Sequence, residues 1–302
     1  MNKYYSIIAP AKLNLNLFIK GKNKNGYHLL ESDICFLELT DKIYIKKSNK
    51  DLFNQSKTPN NFNIDPNDNL IFKAINQFRI LTKWNIKFEV YLDKKIPIGA
   101  GLGGGSADAA STLILLRNLY NKEHNIKKID VSTLYKIGID LGSDVPACLH
   151  SKDLRLGGYG NKITRTKVMN NYYFLLINPK INLSTREVFL HYDASNSNES
   201  DIPDTRIGNI NIHNSLLSSA IDLAPQISSV LSHLQKSKTI TAYGMTGSGS
   251  TCFGIFKNIN EIIKFLEFFK KQDNPNYFIW YGQKKNYNMN RIRTSKTLEN
   301  IV

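Results

Sequence analysis

Cysteine is scarce in this sequence of 302 residues, and long apolar runs are absent. Cys35, Cys148 and Cys252 are far apart and form no C-x-x-C pair, which argues against a disulfide framework and a cysteine-type zinc site. No apolar stretch approaches the roughly 18 residues that a membrane-spanning helix needs. Pro10 and Lys12 interrupt any signal-peptide apolar region near the N-terminus. We therefore expect a cytoplasmic protein with no membrane partner.

Acidic residues are also few, since 25 of them stand against 40 basic ones and leave a formal net charge of +15. A basic balance of this size raises the possibility of nucleic-acid binding. However, the basic clusters Lys46-Lys47, Lys94-Lys95 and Lys284-Lys285 are short, and no zinc finger, basic zipper or RNA-binding aromatic motif occurs. We expect no specific nucleic-acid partner. The excess positive charge suits a small polyanionic substrate instead.

The length of the chain predicts one large domain or two ordinary ones, and its hydrophobic periodicity predicts a mixed α+β fold. The predicted strands are 4–8 and 13–19 on either side of Pro10, then 33–37, 42–46, 86–92, 172–178, 251–256 and 277–281. The predicted helices are 69–83 with Asn67 or Asp68 as its cap, 106–120, one capped by Ser132 and ending at Gly142, 214–223, 226–236 and 261–271. Residues 48–68 and 194–213 are predicted loops. A change in composition near residue 150 predicts two domains, 1–155 and 156–302.

The strand predicted over 13–19 has an unusual polar face. Leucines occupy alternate positions along it, so Lys12, Asn14 and Asn16 share the opposite face. Asparagine is a poor strand former, and two on one face favour a functional surface over a solvated one.

A glycine-rich segment is the strongest signal in the sequence, with five glycines between residues 99 and 105. Such a loop lets the backbone approach a ligand closely, and the helix predicted after it offers unpaired N–H groups and a positive dipole end. Loop and helix together predict a phosphate site. Its residues are Pro97, Ile98, Gly99, Ala100, Gly101, Leu102, Gly103, Gly104, Gly105, Ser106 and Ala107.

Three common phosphate motifs fit this loop poorly. Gly99-x-Gly101-x-x-Gly104 matches the dinucleotide fingerprint, but residues 94–97 separate it from the preceding strand and no strand follows the helix. The P-loop pattern requires a lysine after the last glycine, and none follows Gly105. Protein-kinase marker triplets are absent. A plain glycine-rich turn remains the alternative.

The segment Pro97–Ala107 resembles the second motif of the GHMP kinases. Ala9-Pro10-Ala11-Lys12-Leu13-Asn14-Leu15 resembles their first motif, and Gly244-Met245-Thr246-Gly247-Ser248-Gly249-Ser250 resembles their third. Gly26-Tyr27-His28 and Leu141-Gly142-Ser143-Asp144-Val145-Pro146 narrow the resemblance to the branch whose alcohol substrate carries a cytidine diphosphate. Two positions depart from the pattern: Gly244 stands where relatives often have arginine, and Asn161 where they often have glutamate.

This resemblance implies a two-domain α+β fold, with a ribosomal-protein S5-like N-terminal domain and a ferredoxin-like C-terminal domain. It implies that ATP lies on the glycine loop and the cytidine diphosphate substrate in the cleft between the domains. The implied reaction transfers the γ-phosphoryl group to a tertiary hydroxyl, the 2-hydroxyl of a methylerythritol moiety, in non-mevalonate isoprenoid precursor biosynthesis. Such a kinase is expected to be a monomer or homodimer.

The resemblance also implies roles for single residues. Lys12 would neutralise charge on the transferring group and hold Asp144, and Asp144 would accept the hydroxyl proton, of which a loose transition state needs little early transfer. The implied substrate-binding residues are Asn14, Tyr27, His28, Thr185 and Phe189. Mg²⁺ is expected with ATP, and its protein ligand is unknown. Ser106 is a candidate ligand, but capping of the helix would explain it equally well.

Two alternatives remain open from the sequence. One is another GHMP kinase that acts on mevalonate, homoserine or a sugar, against which Gly26-Tyr27-His28 and the residues around Asp144 argue. The other is a non-catalytic protein of this fold that binds nucleotide or nucleic acid. Intact Lys12 and Asp144 argue against it, and salt-sensitive binding without ATP turnover would support it.

Overall fold

A computed structural model describes residues 3–62, 68–124, 128–168, 170–195, 205–272, 276–288 and 293–295. The strands are β1 (Tyr4–Asn14), β2 (Phe18–Lys22), β3 (His28–Ser48), β4 (Leu52–Gln55), β5 (Lys87–Asp93), β6 (Leu154–Gly158), β7 (Lys162–Arg165), β8 (Tyr173–Asn178), β9 (Thr205–Ile207), β10 (Ile210–Ile212), β11 (Ala242–Met245), β12 (Cys252–Phe256), β13 (Phe278–Gln283) and β14 (Arg293–Ser295). The helices are α1 (Leu70–Thr82), α2 (Gly104–Glu123), α3 (Val131–Leu141), α4 (Val145–His150), α5 (Thr185–Ala194), α6 (Leu217–Leu223), α7 (Gln226–Gln235) and α8 (Ile259–Gln272). This order confirms the α+β class.

The first sheet is built around β3, a strand of 21 residues. β1, β2, β5 and β6 all pair with it antiparallel, β14 pairs with β1, β4 runs parallel to β5, and β7 pairs with β6. β3 joins the two strands that the sequence predicts at 33–37 and 42–46. The predicted break at Pro10 is wrong, because β1 continues through it with a register shift between Pro10 and Lys12. A bulge accommodates a residue that has no N–H to donate.

Helices α1 to α4 pack against this sheet, and their buried residues form one hydrophobic core with those of β1, β3 and β5. Two of the predicted helices have a different N-cap residue from the one that the sequence indicates. The Asn69 side chain caps α1 in place of Asp68, and Asp130 caps α3 in place of Ser132; Asn67 lies outside the described residues. The left-handed Gly103, with φ of 63°, precedes α2. Ser106 therefore lies within the first turn of α2 and is not its cap.

The second sheet has the antiparallel order β11-β12-β8-β13 and packs against α6, α7 and α8. Several elements were not predicted from the sequence. β4 lies inside the predicted loop 48–68, the β9–β10 hairpin inside the predicted loop 194–213, and α4, α5 and β11 were missed. These elements are short or weakly periodic, and tertiary packing decides their conformation.

The two sheets do not separate at residue 155. That position lies inside β6, which pairs with β3 of the first sheet, so we propose a domain boundary in the loop after Arg165. The chain also returns from β13 to the first sheet, where Tyr287 donates its hydroxyl hydrogen to the Leu37 carbonyl oxygen at 2.8 Å. Among the described residues, every helix is too short or too polar to cross a bilayer.

Candidate active site

A cavity of about 520 Å³ opens between the two sheets. Its walls come from β1, the glycine loop, the turn before α4, the start of α5 and the loop between β11 and β12. The predicted residues that line it are Lys12, Asn14, Pro97, Ile98, Gly99, Ala100, Gly101, Gly103, Gly104, Gly105, Ser106, Asp144, Thr185 and Phe189. Leu102 and Ala107 lie in the core beneath the loop, where the Leu102 carbonyl accepts the backbone N–H of Lys12 at 3.0 Å.

The glycine loop is packed tightly between Lys12 and the loop that joins β11 and β12. This close packing explains why glycine is needed at two of its positions. Gly101 has φ of 74°, and a Cβ there would lie 2.3 Å from the Thr246 carbonyl oxygen. At Gly103 a Cβ would lie 2.6 Å from the Lys12 Cγ. Beyond Gly103 the first N–H groups of the 20-residue α2 open toward the cavity, as the sequence predicts for a phosphate site.

Replacing Gly103 by alanine is expected to raise KM for ATP and lower kcat, each by about tenfold or more, because the methyl group displaces Lys12 and strains the left-handed backbone. Gly157→Ala, in β6 and outside the cavity wall, is the matched control. Its Cβ would meet only Lys162, at an ordinary 3.6 Å or more, so steady-state constants should stay within about twofold of wild type. Equal losses in both variants would contradict this account of the loop.

Lys12 and Asp144 form an ion pair in the cavity wall, with 3.1 Å between Nζ and Oδ2. The Lys12 side chain is only 4 % exposed, whereas Asp144 is 30 % exposed and accessible to a substrate. Lys12 also donates to Asn14 Oδ1. The sequence brought these two residues together only by resemblance, since they are 132 positions apart. A buried cation beside an accessible carboxylate suits a reaction that stabilises phosphoryl charge and removes a hydroxyl proton.

Asn14 is held from both sheets, which fixes the ion pair in place. Its side-chain amide donates to Ser32 Oγ at 2.7 Å, and its backbone N–H donates to Thr246 Oγ1 at 2.9 Å. The polar strand face predicted from Lys12 and Asn14 is thus buried at the cavity and is not solvated.

A charged cluster beneath the glycine loop was missed by the sequence analysis. Lys94 Nζ is 2.7 Å from Asp108 Oδ2 and also pairs with Asp41, and all three side chains are almost fully buried. Burial favours the neutral amine, but the two carboxylates outweigh it and raise the pKa of Lys94. Burial, opposed by Lys94, raises the pKa of Asp108 well above its usual value. Asp41 also accepts the backbone N–H groups of Lys95 and Ile96, which anchors the chain entering the loop.

The departure at Gly244 has a structural reason. This glycine lies in β11, and a Cβ there would be 2.7 Å from Ile212 Cγ2 of the β9–β10 hairpin. The hairpin therefore occupies the space that a larger side chain would need.

The predicted base-binding residues lie at the edge of the cavity. Thr185 begins α5 and is 2.9 Å from the Ser248 hydroxyl, and Phe189 lies one turn further. The His28 ring lies on Phe189, with 4.7 Å between ring centroids. Tyr27 is 65 % exposed and is not part of the cavity wall, so its contact with the base stays a prediction.

Among the described residues, no group of three or more His, Cys, Asp and Glu side chains could hold a metal ion. Mg²⁺ bound with a nucleotide needs only one or two protein ligands, because phosphates and water complete its shell. The Ser106 hydroxyl and the Asp144 carboxylate line the same cavity and supply oxygen ligands of the right kind.

Comparison with known proteins places this chain in one class. Two family models match the chain: the GHMP kinases N terminal domain over residues 69–152, and the GHMP kinases C terminal domain over 205–274. A solved 4-(cytidine 5'-diphospho)-2C-methyl-D-erythritol kinase has the same fold, with a TM-score of 0.73 at 23 % identity, covering 93 % of this chain and all of that one. A solved homoserine kinase from Cytophaga hutchinsonii also has this fold, with a TM-score of 0.65 at 14 % identity over 97 % of both chains.

Sequence relatives narrow the class further. The chain is 34 % identical to the 4-diphosphocytidyl-2-C-methyl-D-erythritol kinase of Ruthia magnifica over 82 % of its own length and 85 % of that protein. It is 36 % identical to the protein of the same name from Clostridium tetani, over 83 % of this chain and 90 % of that protein. The chain belongs to the GHMP kinases and, within them, to the family that these two relatives represent.

Proposed function

We propose that this protein is an ATP-dependent kinase for the 2-hydroxyl group of 4-diphosphocytidyl-2-C-methyl-D-erythritol, in non-mevalonate isoprenoid precursor biosynthesis. The observation that carries the proposal is the 3.1 Å pair of Lys12 and Asp144 in the same cavity as the start of α2. The names of the sequence relatives support the choice of substrate.

The phosphate groups of ATP lie against the N–H groups of the glycine loop and of the first turn of α2, where the helix dipole favours negative charge. The 2-hydroxyl oxygen attacks the γ-phosphorus and forms a new P–O bond. The bond from that phosphorus to the β–γ bridging oxygen breaks, and ADP leaves. Lys12 Nζ neutralises charge on the transferring group, and Asp144 accepts the hydroxyl proton as the new bond forms.

Mg²⁺ bound with the nucleotide would neutralise negative charge on its phosphate groups. We propose Ser106 as the residue that would hold it, directly or through water. Ser106 lies in the first turn of α2, where the phosphates are expected, and its residue lines the cavity.

We also propose that the cytosine base binds at the end of the cavity between β3 and α5. Phe189 supplies an apolar face there, and the exposed Tyr27 supplies a second ring that can close over the base. His28 follows Tyr27 in the sequence, and its ring contacts Phe189. It is the polar group that forms hydrogen bonds with the edge of the base.

The test is a coupled assay for ADP release by the purified protein with Mg²⁺ and ATP. It compares the cytidine diphosphate compound with mevalonate, homoserine and galactose as acceptors. We expect turnover with the cytidine compound and at least about 100-fold lower kcat/KM with the other three alcohols. Preferred turnover of another alcohol would overturn the substrate, and no turnover with any acceptor would favour a binding protein that kept the fold.

A further inference from the structure

A carboxylate that the sequence analysis did not single out, Asp193 of α5, binds two side chains of the β2–β3 hairpin. Its Oδ1 is 2.9 Å from His28 Nε2, and its Oδ2 is 2.7 Å from Lys22 Nζ. The His28 ring is only 13 % exposed and contacts Phe189, which lines the cavity, with the two ring planes tilted by 38°. Asp193 therefore links the first sheet to α5 at the edge of the cavity.

The chemistry of this contact restricts the imidazole of His28. An ionised carboxylate only accepts hydrogen bonds. The hydrogen bond to Lys22, followed by that to His28, lowers the pKa of Asp193 and keeps it ionised near neutral pH. The nitrogen that faces it, Nε2, must therefore carry a hydrogen. In the neutral ring this leaves Nδ1 as an acceptor.

A histidine nitrogen that accepts a hydrogen bond can distinguish cytosine from uracil. Cytosine carries an amino group, a donor, at the ring position where uracil carries a carbonyl oxygen, an acceptor. An Nδ1 acceptor pairs with the amino group of cytosine and repels the carbonyl of uracil. The opposite tautomer, with hydrogen on Nδ1, would accept uracil and disfavour cytosine.

We propose that Asp193 is a positioning residue that fixes the tautomer of His28 and so sets a preference for cytosine over uracil. The proposal rests on the proposed function, because it assumes that His28 faces the base of a cytidine diphosphate substrate. Lys22 has a supporting role, since it holds the second carboxylate oxygen and orients the first toward the ring.

The test is Asp193→Asn, which keeps the size of the side chain and changes its hydrogen bonding. An amide either accepts from Nε2 or donates to it, so both tautomers become accessible. Calorimetry with CDP and UDP measures the preference without turnover. We expect the ratio of the UDP to the CDP dissociation constant to fall by about tenfold or more. The KM for ATP should not change. Nitrogen-15 NMR of His28 should show mainly the Nε2–H form in wild type and a mixture in the variant.

Two controls separate tautomer selection from general damage. Asp222→Asn alters a carboxylate on α6 that lies 3.8 Å from His191, outside the cavity wall, and should leave the ratio unchanged. Lys24→Met removes a cation from the exposed turn of the same hairpin, leaves Asp193, His28 and Lys22 in place, and should leave the ratio unchanged. A wild-type ratio in Asp193→Asn would overturn the proposal. Equal affinity of the wild type for CDP and UDP would overturn it as well, whereas lack of turnover alongside a CDP preference would count only against the proposed reaction.

Discussion

Replacing Asp144 by asparagine should lower kcat by about 100- to 10,000-fold, the range that a positioned proton acceptor contributes. Asparagine keeps the size of the side chain but has no basic oxygen for the hydroxyl proton. The phosphates lie on the glycine loop in the proposed complex, so KM for ATP should stay within about threefold of wild type. Steady-state kinetics in the coupled assay, with ATP and acceptor varied separately, measures both effects.

The matched control for this substitution is Asp140→Asn. Asp140 lies four residues earlier on α3 and is exposed, so the same loss of charge occurs nearby but outside the cavity wall. Its kinetics should match wild type. An Asp144→Asn enzyme with activity within threefold of wild type would remove Asp144 as the proton acceptor and leave the hydroxyl proton to phosphate or water.

Lys12→Met should lower kcat by about 100- to 1,000-fold, as found when a single charge-stabilising group of this kind is removed. Methionine fills the space of the lysine stem, which is buried against Gly103. Asp144, at 30 % exposure, stays hydrated when its partner is gone. We therefore expect a folded protein whose lost cation affects the transition state more than the binding of ATP.

Circular dichroism and kinetics together test this second prediction. Lys264→Met, on the exposed side of α8, makes the same chemical change far from the cavity and should have no kinetic effect. If Lys12→Met raised KM for ATP and left kcat unchanged, Lys12 would be a ground-state phosphate ligand and would have no special role in transfer. If the far-ultraviolet circular dichroism spectrum of Lys12→Met were that of an unfolded chain, the ion pair would be required for folding.

Sequence reasoning predicted those parts of the site that local chemistry dictates. The glycine-rich segment predicts a phosphate site, because glycine adopts left-handed conformations without steric cost and lets the backbone before a helix approach a ligand closely. The alternation of leucine and polar residues predicts that Lys12 and Asn14 share a strand face, and the structure confirms this. The roles of Lys12 and Asp144, by contrast, came from resemblance to a family, and the proposed assays test them.

The environment of other residues is set by distant segments. Lys94 and Lys284 belong to short basic clusters in the sequence, and each is buried in an ion pair, Lys94 with Asp41 and Asp108 and Lys284 with Asp153. Basic charge in the sequence does not show which lysines face solvent, since burial depends on carboxylates that only the fold brings near.

The sequence by itself determined the α+β class, the glycine loop before α2 and the polar face of β1, since these follow from backbone freedom and from side-chain periods along one segment. Only the tertiary structure decided that Asp144 meets Lys12, that Asp193 meets His28, and that β6 belongs to the first sheet. Each of these contacts joins residues more than 100 positions apart. Their formation depends on how whole sheets and helices pack, which no local pattern encodes.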